Sequence, residues 1–228
     1  FVGHPVLESG AGGGNGTAWR ARHGIPPQAP LLCVLPGSRR SEVRALLPPF
    51  GDAVGLIAKQ IPDLRVVVPT LATLADDVRA AVAAWPGAAV AVEGEGEKFD
   101  AFAACDAALA ASGTVSLELA LAGAPHAVAY RVNPITAWLA RRLIRVRFVN
   151  LVNLVLERAV VPELLQEDCT GEKLAAAALR LLRDSRARAA QKDAFTEALD
   201  RLGRGEGAPS DRAAEVVLAT IAGYARSP

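Results

Sequence analysis

Two neighbouring arginines stand where a helix is predicted to begin. The apolar run 31–34 continues into LPGSRRSE, so Arg39 and Arg40 come just before a helical pattern over 41–60. The positive end of a helix dipole disfavours cations there by roughly 0.3–1 kcal/mol each. Ser38 can cap this helix, and the free N–H groups of its first turn, together with Arg39, would bind an anion. The alternative is an ordinary strand-to-helix turn with two solvated arginines.

A second loop of small, hydroxyl-bearing residues follows another apolar run. The loop Ala111, Ser112, Gly113 and Thr114 comes directly after a strand predicted over 106–110, and such small residues let a phosphate approach the backbone amides. Glu118 lies one helical turn beyond Thr114 on the same face. A carboxylate near a phosphate site makes electrostatic sense if it accepts hydrogen bonds from hydroxyls, such as those of a ribose. Simple helix capping and a solvated Glu118 are the alternatives.

Further polar residues follow later apolar runs. Arg131 ends the next predicted strand, Asn150 and Asn153 could hydrogen-bond a base or a sugar, and Gln166 lies in a helix predicted over 162–167. Each of them could instead serve ordinary loop or cap chemistry. Together the loops predict a polar, partly basic crevice that recognises phosphate, hydroxyl and amide groups, which is the pattern suited to a nucleotide sugar.

Several other kinds of site are not expected. The glycine-rich segment 8–16 does not fit GxGxxG in any register, and the P-loop and GxSxG motifs do not occur in the sequence. His4, His23 and His126 are not at ligand spacing from each other or from a cysteine, so no metal or other cofactor is expected. The net charge of +1 argues against nucleic-acid binding through a charged surface.

These loops are held by apolar runs that alternate with helical patterns. Strands are predicted at 31–35, 65–69, 88–92, 106–110, 125–130 and 145–149, and helices at 41–60, 72–84, 98–104, 113–122 and 134–144. Such alternation predicts an α/β fold, a Rossmann-like parallel sheet with helices on both faces. Ligands of such sheets bind at the carboxyl ends of the strands, where the loops described above fall.

The chain divides into three predicted parts. Residues 1–29 are an interdomain segment or linker, residues 30–167 the Rossmann-like nucleotide-sugar-binding domain, and residues 168–228 a C-terminal helical tail packing on that domain. The tail is expected to contain helices over 171–183, 185–202 and 209–226. Because the chain opens on FVGHP and contains no Met, we expect it to be a piece of a longer protein.

Cysteine usage and charge bear on location. The three widely spaced cysteines do not form a disulfide pattern, and no signal peptide opens the chain, so a reducing cytoplasm is expected. Residues 135–161 are apolar, but arginines between 141 and 147 interrupt the run and exclude a membrane-spanning helix. Two interpretations remain open, a basic amphipathic helix on an anionic membrane surface and a half-buried helix with a solvated arginine face.

An ordered set of longer motifs resembles the lipid-A-disaccharide synthase family. The motifs are FVGHP, LPGSRRSEV, DAALAASGTVSLELAL, AYRVNPITAWLARRLI, NLVNL and VPELLQ. The resemblance covers the carboxyl-terminal half of such enzymes and implies the C-terminal domain of a GT-B glycosyltransferase. It implies metal-independent transfer from UDP-2,3-diacylglucosamine, the donor held by this domain, to 2,3-diacylglucosamine 1-phosphate, forming the lipid A disaccharide 1-phosphate and UDP.

The resemblance also implies roles for individual residues. Arg39 matches the family's LPGSR arginine, which would stabilise the phosphates during catalysis, and Ser112–Thr114 match its SGT loop. Glu118 matches the carboxylate that meets the ribose, Asn153 the asparagine of the PNL segment, and Gln166 the end of LLQ. One departure is Val152, which stands where the family has proline.

The second departure is the absence of the amino-terminal half, which would carry the general base and most acceptor contacts. The piece alone is therefore expected to bind UDP or the donor weakly without turnover. The resemblance implies a cytoplasmic protein peripheral to the inner membrane, and it allows a homodimer. Two alternatives remain: another GT-B enzyme such as a UDP-N-acetylglucosamine 2-epimerase, or a non-catalytic nucleotide-sugar-binding domain.

Overall fold

The computed structural model describes residues 1–131 and 147–224. The helix predicted over 134–144 and most of the basic segment 141–147 therefore lie outside the described residues. The described part of the strand predicted over 145–149, residues 147–149, has irregular structure.

A parallel six-stranded sheet forms the centre of the fold, with strand order β3-β2-β1-β4-β5-β6. Its strands are β1 (Leu31–Leu35), β2 (Arg65–Thr70), β3 (Val90–Glu93), β4 (Ala107–Ala111), β5 (His126–Tyr130) and β6 (Glu163–Leu165). Every neighbouring pair is parallel, so the predicted α/β class and Rossmann-like sheet are confirmed.

Helices connect the strands and continue beyond the last one. They are α1 (Gly16–Arg22), α2 (Arg40–Ala58), α3 (Ala75–Val82), α4 (Glu95–Ala104), α5 (Val115–Leu121), α6 (Leu151–Leu156), α7 (Gly171–Arg183), α8 (Ser185–Arg201) and α9 (Pro209–Tyr224). Short 3₁₀ helices occur at Pro5–Glu8, Ala11–Gly13, Ala72–Leu74 and Gln166–Asp168.

Alternate residues of the buried strands support two helical layers, because successive side chains of a strand point to opposite faces. Leu32 and Val34 of β1 belong to a core with α2, α3 and α7, in which Phe50 is fully buried. Leu31 and Cys33 belong to a core on the other face with α1 and α4. Helices α5, α6 and α8 continue that second face around β5.

The prediction of a helix over 162–167 is wrong. Residues Glu163–Leu165 form the edge strand β6, and a 3₁₀ helix follows at Gln166–Asp168. The carbonyl of Pro162 accepts a hydrogen bond from Val128 N at 2.9 Å, which starts the pairing with β5. Proline lacks an N–H group and is tolerated at the first position of an edge strand. In the preceding stretch, predicted as a loop, α6 was missed.

The glycine-rich segment near the amino terminus packs closely on α4. A methyl group at Gly14 would overlap the carbonyl oxygen of Phe99, and one at Gly16 would overlap that of Ala103. These glycines therefore allow backbone to lie against backbone, and α1 then buries Trp19 completely. At the other end of the chain, α7 packs on α2. The division into three parts stays a prediction.

Candidate functional site

The loops after β1 and β4 meet at the carboxyl edge of the sheet. These strands are neighbours, with Leu35 opposite Ala110, and the chain runs from β1 through β2 to β3 on one side before β4 returns on the other. A methyl group at Gly37 would lie 3.5 Å from Cβ of Ala111. The two predicted phosphate loops therefore flank the point where strand order reverses, which is where open α/β sheets bind ligands.

The carboxylate of Glu42 accepts hydrogen bonds from the N–H groups of the first loop. It accepts hydrogen bonds from Ser38 N at 3.2 Å, from Arg39 N at 3.3 Å and from Arg39 Nη1 at 2.8 Å. Gly37 has φ of +115°, and a methyl group there would lie 2.8 Å from Glu42 Oε2. Glycine thus supplies both the turn and the space for this carboxylate.

Glu42 also answers the electrostatic problem of arginines at a helix start. Arg39 occupies the N-cap position of α2, and the Glu42 carboxylate three residues later caps its backbone N–H. The prediction that Ser38 caps this helix is wrong, because the helix begins one residue later. Arg40 lies apart from this cluster, with its Nε 3.7 Å from Asp77 Oδ2. The Arg39 side chain is 78% exposed and can therefore reach a ligand.

The second loop joins β4 to α5. The backbone N–H of Ser112 donates to the carbonyl of Ala129 at 2.8 Å, which fixes the loop to the end of β5. Thr114 occupies the N-cap position of α5, and within the described structure its side chain makes no capping hydrogen bond. Helix capping therefore does not account for the Thr114 hydroxyl.

Glu118 lies one turn into α5 and forms an ion pair that the sequence did not indicate. Its Oε2 and Oε1 atoms lie 3.1 and 3.3 Å from Lys98 Nζ in α4. The two side chains are only 19% and 25% exposed, respectively. The carboxylate predicted to meet a ribose is thus held by a cation from the helix that follows β3.

Arg131 follows β5 and Gln166 follows β6, so both come at the carboxyl ends of neighbouring strands. Tyr130 pairs with Leu165, so the residues that follow them leave the sheet side by side. Burial raises the pKa of the Cys169 thiol, while the positive charge of Arg131 opposes that rise. Gln166 has φ of +50°, a left-handed conformation uncommon for a residue other than glycine.

The Asn153 side chain is held within the fold. Its Nδ2 donates to Val161 O and to Glu163 Oε1, both at 2.8 Å. Its Oδ1 accepts from Val160 N at 2.8 Å and from Val161 N at 2.9 Å. The structure therefore places Asn153 at the start of β6, away from the residues at the carboxyl edge, and its binding role stays a prediction.

A buried polar chain supports the second loop from below. Asn150 Nδ2 donates to Ser116 Oγ at 2.6 Å, and Ser116 Oγ lies 2.7 Å from His126 Nε2. His126 Nδ1 lies 2.9 Å from the Ala124 carbonyl, so Nδ1 carries the proton and Nε2 accepts from the serine. Complete burial lowers the pKa of His126 to about 4.

Across residues 1–131 and 147–224, no group of three or more His, Cys, Asp or Glu side chains could hold a metal ion. The expectation of a metal-free and cofactor-free site stays a prediction. In the described part of the chain, no helix has the length and apolar composition needed to cross a membrane.

Comparison with known proteins decides the family. The model of the lipid-A-disaccharide synthetase family matches residues 1–217. The chain belongs to that family. Lipid-A-disaccharide synthase from Rhodospirillum centenum is 57% identical over 221 residues, covering 97% of this chain and 55% of the relative. The protein of the same name from Paramagnetospirillum magneticum is 53% identical, covering 95% and 56%, respectively. The chain thus spans about half the length of the curated relatives it matches.

Solved structures share the fold at low sequence identity. WaaG, a glycosyltransferase involved in lipopolysaccharide biosynthesis, has a TM-score of 0.59 at 18% identity, covering 88% of this chain and 50% of WaaG. A putative UDP-N-acetylglucosamine 2-epimerase from Listeria monocytogenes has a TM-score of 0.53 at 17% identity, covering 99% and 49%. These likenesses show the fold of one half of a GT-B protein. The sequence family separates this chain from the epimerases, which the fold alone does not.

Proposed function

We propose that this chain is the donor-binding half of a lipid-A-disaccharide synthase and holds a UDP-sugar between the loops after β1 and β4. The observation that carries the proposal is the meeting of these loops at the reversal of strand order. The loop that contains Ser38 and Arg39 therefore lies beside the loop that contains Ser112 and Thr114. From the resemblance to the family, the proposed donor is UDP-2,3-diacylglucosamine and the proposed acceptor is 2,3-diacylglucosamine 1-phosphate.

The proposed chemistry is stabilisation of the departing UDP. When the bond between the sugar and the diphosphate breaks, negative charge develops on the leaving phosphate. The amides of Ser38 and Arg39 and the Arg39 guanidinium are donors that already hold a carboxylate, that of Glu42. When the UDP-sugar binds, its diphosphate must replace the Glu42 carboxylate as the acceptor of these hydrogen bonds. Such preorganised donors are worth roughly 2.7–4 kcal/mol each in catalysis.

The general base and most of the contacts with the acceptor belong, in this proposal, to a preceding half. The curated relatives are nearly twice as long as the part matched here, which leaves room for such a half. This division predicts that the present chain binds UDP without transferring sugar.

The first test is Arg39→Ala in the full-length enzyme, assayed with both lipid substrates. We expect turnover to fall about a hundredfold or more, since one preorganised donor of the leaving group is lost. The matched control is Arg40→Ala, whose side chain lies near Asp77 instead of Glu42; we expect it to keep turnover within a few-fold. Near-normal turnover of Arg39→Ala would refute the proposed role.

The second test separates the alternatives. Full-length protein that forms disaccharide from the two lipid substrates supports the synthase. Conversion of UDP-N-acetylglucosamine to its 2-epimer would instead favour the epimerase reading. UDP binding by full-length protein without either reaction would identify a non-catalytic binding domain.

A further inference from the structure

The ion pair between α4 and α5 joins two residues that lie 20 positions apart. Lys98 Nζ lies within 3.3 Å of both carboxylate oxygens of Glu118, and both side chains are largely shielded from solvent. Helix α4 follows β3, and α5 follows β4. The pair therefore links α5, the helix that follows the second loop, to α4.

Lys98 is also restrained by aromatic rings. Its Nζ lies 4.6 Å from the centre of the Phe99 ring and 6.0 Å from that of Phe102. A cation within about 6 Å of a ring centre is attracted to the ring's negative face. Phe102 is buried in the core, so the ammonium group has a fixed place on one side of the carboxylate.

We infer that Lys98 is a positioning residue that aims the Glu118 carboxylate at the vicinal hydroxyls of the donor's ribose. An ionised carboxylate has about four acceptor sites, and Lys98 occupies those on one side. The remaining sites are left for two hydroxyl donors. This role rests on the proposed function and on the expectation from the sequence that Glu118 meets the ribose.

The charge of Lys98 has a second consequence for the same site. A diphosphate carries negative charge, and a bare carboxylate near it would repel it. The Lys98 ammonium cancels the charge of Glu118 while leaving its acceptor atoms in place. Lys98 therefore lets the site combine a hydroxyl acceptor with an anion.

The test compares UDP with 2′,3′-dideoxyuridine 5′-diphosphate, which has the same diphosphate and lacks both hydroxyls. Both are titrated calorimetrically into full-length protein. Wild type should prefer UDP by at least about tenfold, which is about 1.4 kcal/mol. Lys98→Met should reduce that preference to about twofold or less, and Lys98→Arg should restore most of it. General charge repulsion affects both ligands equally and cancels in the ratio.

The matched control is Lys59→Met, an exposed lysine at the carboxyl end of α2, which should keep the wild-type ratio. If Lys98→Met keeps the full preference for UDP while the protein binds both ligands, the inference is overturned and the proposed function stands. If Lys98→Met weakens both ligands equally, Lys98 acts through its charge or on the fold and does not position Glu118, and the inference is likewise overturned. If wild type binds neither ligand at millimolar concentration, the proposed function fails, and this inference with it.

Discussion

The buried histidine beneath the second loop predicts how stability depends on pH. His126 is fully buried, stacks on the Phe195 ring at 5.2 Å, and uses both ring nitrogens in hydrogen bonds. Its Nε2 accepts from the Ser116 hydroxyl, so protonation would place two donors against each other. We therefore compare how wild type and His126→Gln lose stability as the pH falls, since the glutamine side chain cannot gain a charge.

The expected magnitude follows from the depressed pKa. Burial lowers the pKa of His126 from its ordinary value of 6.5 to about 4. Between those values the unfolded chain binds a proton that the folded chain does not, so folding becomes less favourable as the pH falls. The stability that comes from keeping His126 neutral is fully present above pH 6.5 and is lost by about pH 4. At 1.36 kcal/mol for each tenfold change in proton affinity, the loss is about 3 kcal/mol.

Urea denaturation at a series of pH values from 7.5 to 4 gives the measurement. His126→Gln should be less stable than wild type at pH 7, and the difference should shrink by about 3 kcal/mol towards pH 4. Phe195→Leu serves as the control, because it removes the stacked ring and keeps the titrating group; its deficit should stay nearly constant. Parallel curves for wild type and His126→Gln would refute the reasoning.

Three further predictions concern packing and caps. Gly14→Ala should destabilise the chain by about 1–3 kcal/mol, since its methyl group would overlap the Phe99 carbonyl, and thermal unfolding measures the loss. Glu42→Ala should lower the free energy of unfolding by about 1 kcal/mol because it removes the cap of α2, and thermal unfolding measures this loss as well. Glu42→Asp should be nearly as unstable, because its side chain is too short to reach the capped N–H group. Asn153→Ala should lower the free energy of unfolding by about 3 kcal/mol by leaving buried groups unpaired, and UDP titration at a temperature where the variant stays folded tests its predicted binding role. Weaker UDP binding by folded Asn153→Ala would assign that side chain to the site.

Much of the sheet could be predicted because its signals are local. The buried strands β1 and β4 are continuous apolar runs, β5 is apolar at its centre, and helices such as α2 and α7 carry a long apolar face, so their approximate positions follow from the sequence. β6 could not be predicted in this way. Its three residues lie within PELLQ, which is equally compatible with a helix, and only pairing with β5 makes it a strand.

The sequence predicts the candidate site as a set of loops but not the contacts that the structure shows among its side chains. Parallel strands bring their carboxyl ends to one edge, which is sufficient to group Arg39 with Ser112 and Thr114. The Lys98–Glu118 pair depends on how α4 packs beside α5, and the sequence contains no local signal for it. Glu42 did have such a signal, because a glutamate three residues after an N-cap position is the spacing of a capping box.

Any inhibitor directed at the first loop must bind tightly enough to displace the Glu42 carboxylate. A group tethered by a short linker acts at an effective concentration in the millimolar range or above, so it outcompetes a dilute free anion of equal intrinsic affinity. A small molecule that offers one carboxylate would replace like with like and gain little. A compound that bridges the loops after β1 and β4 with two anionic groups would add contacts that the internal carboxylate cannot make, and its affinity should respond to Glu42→Gln.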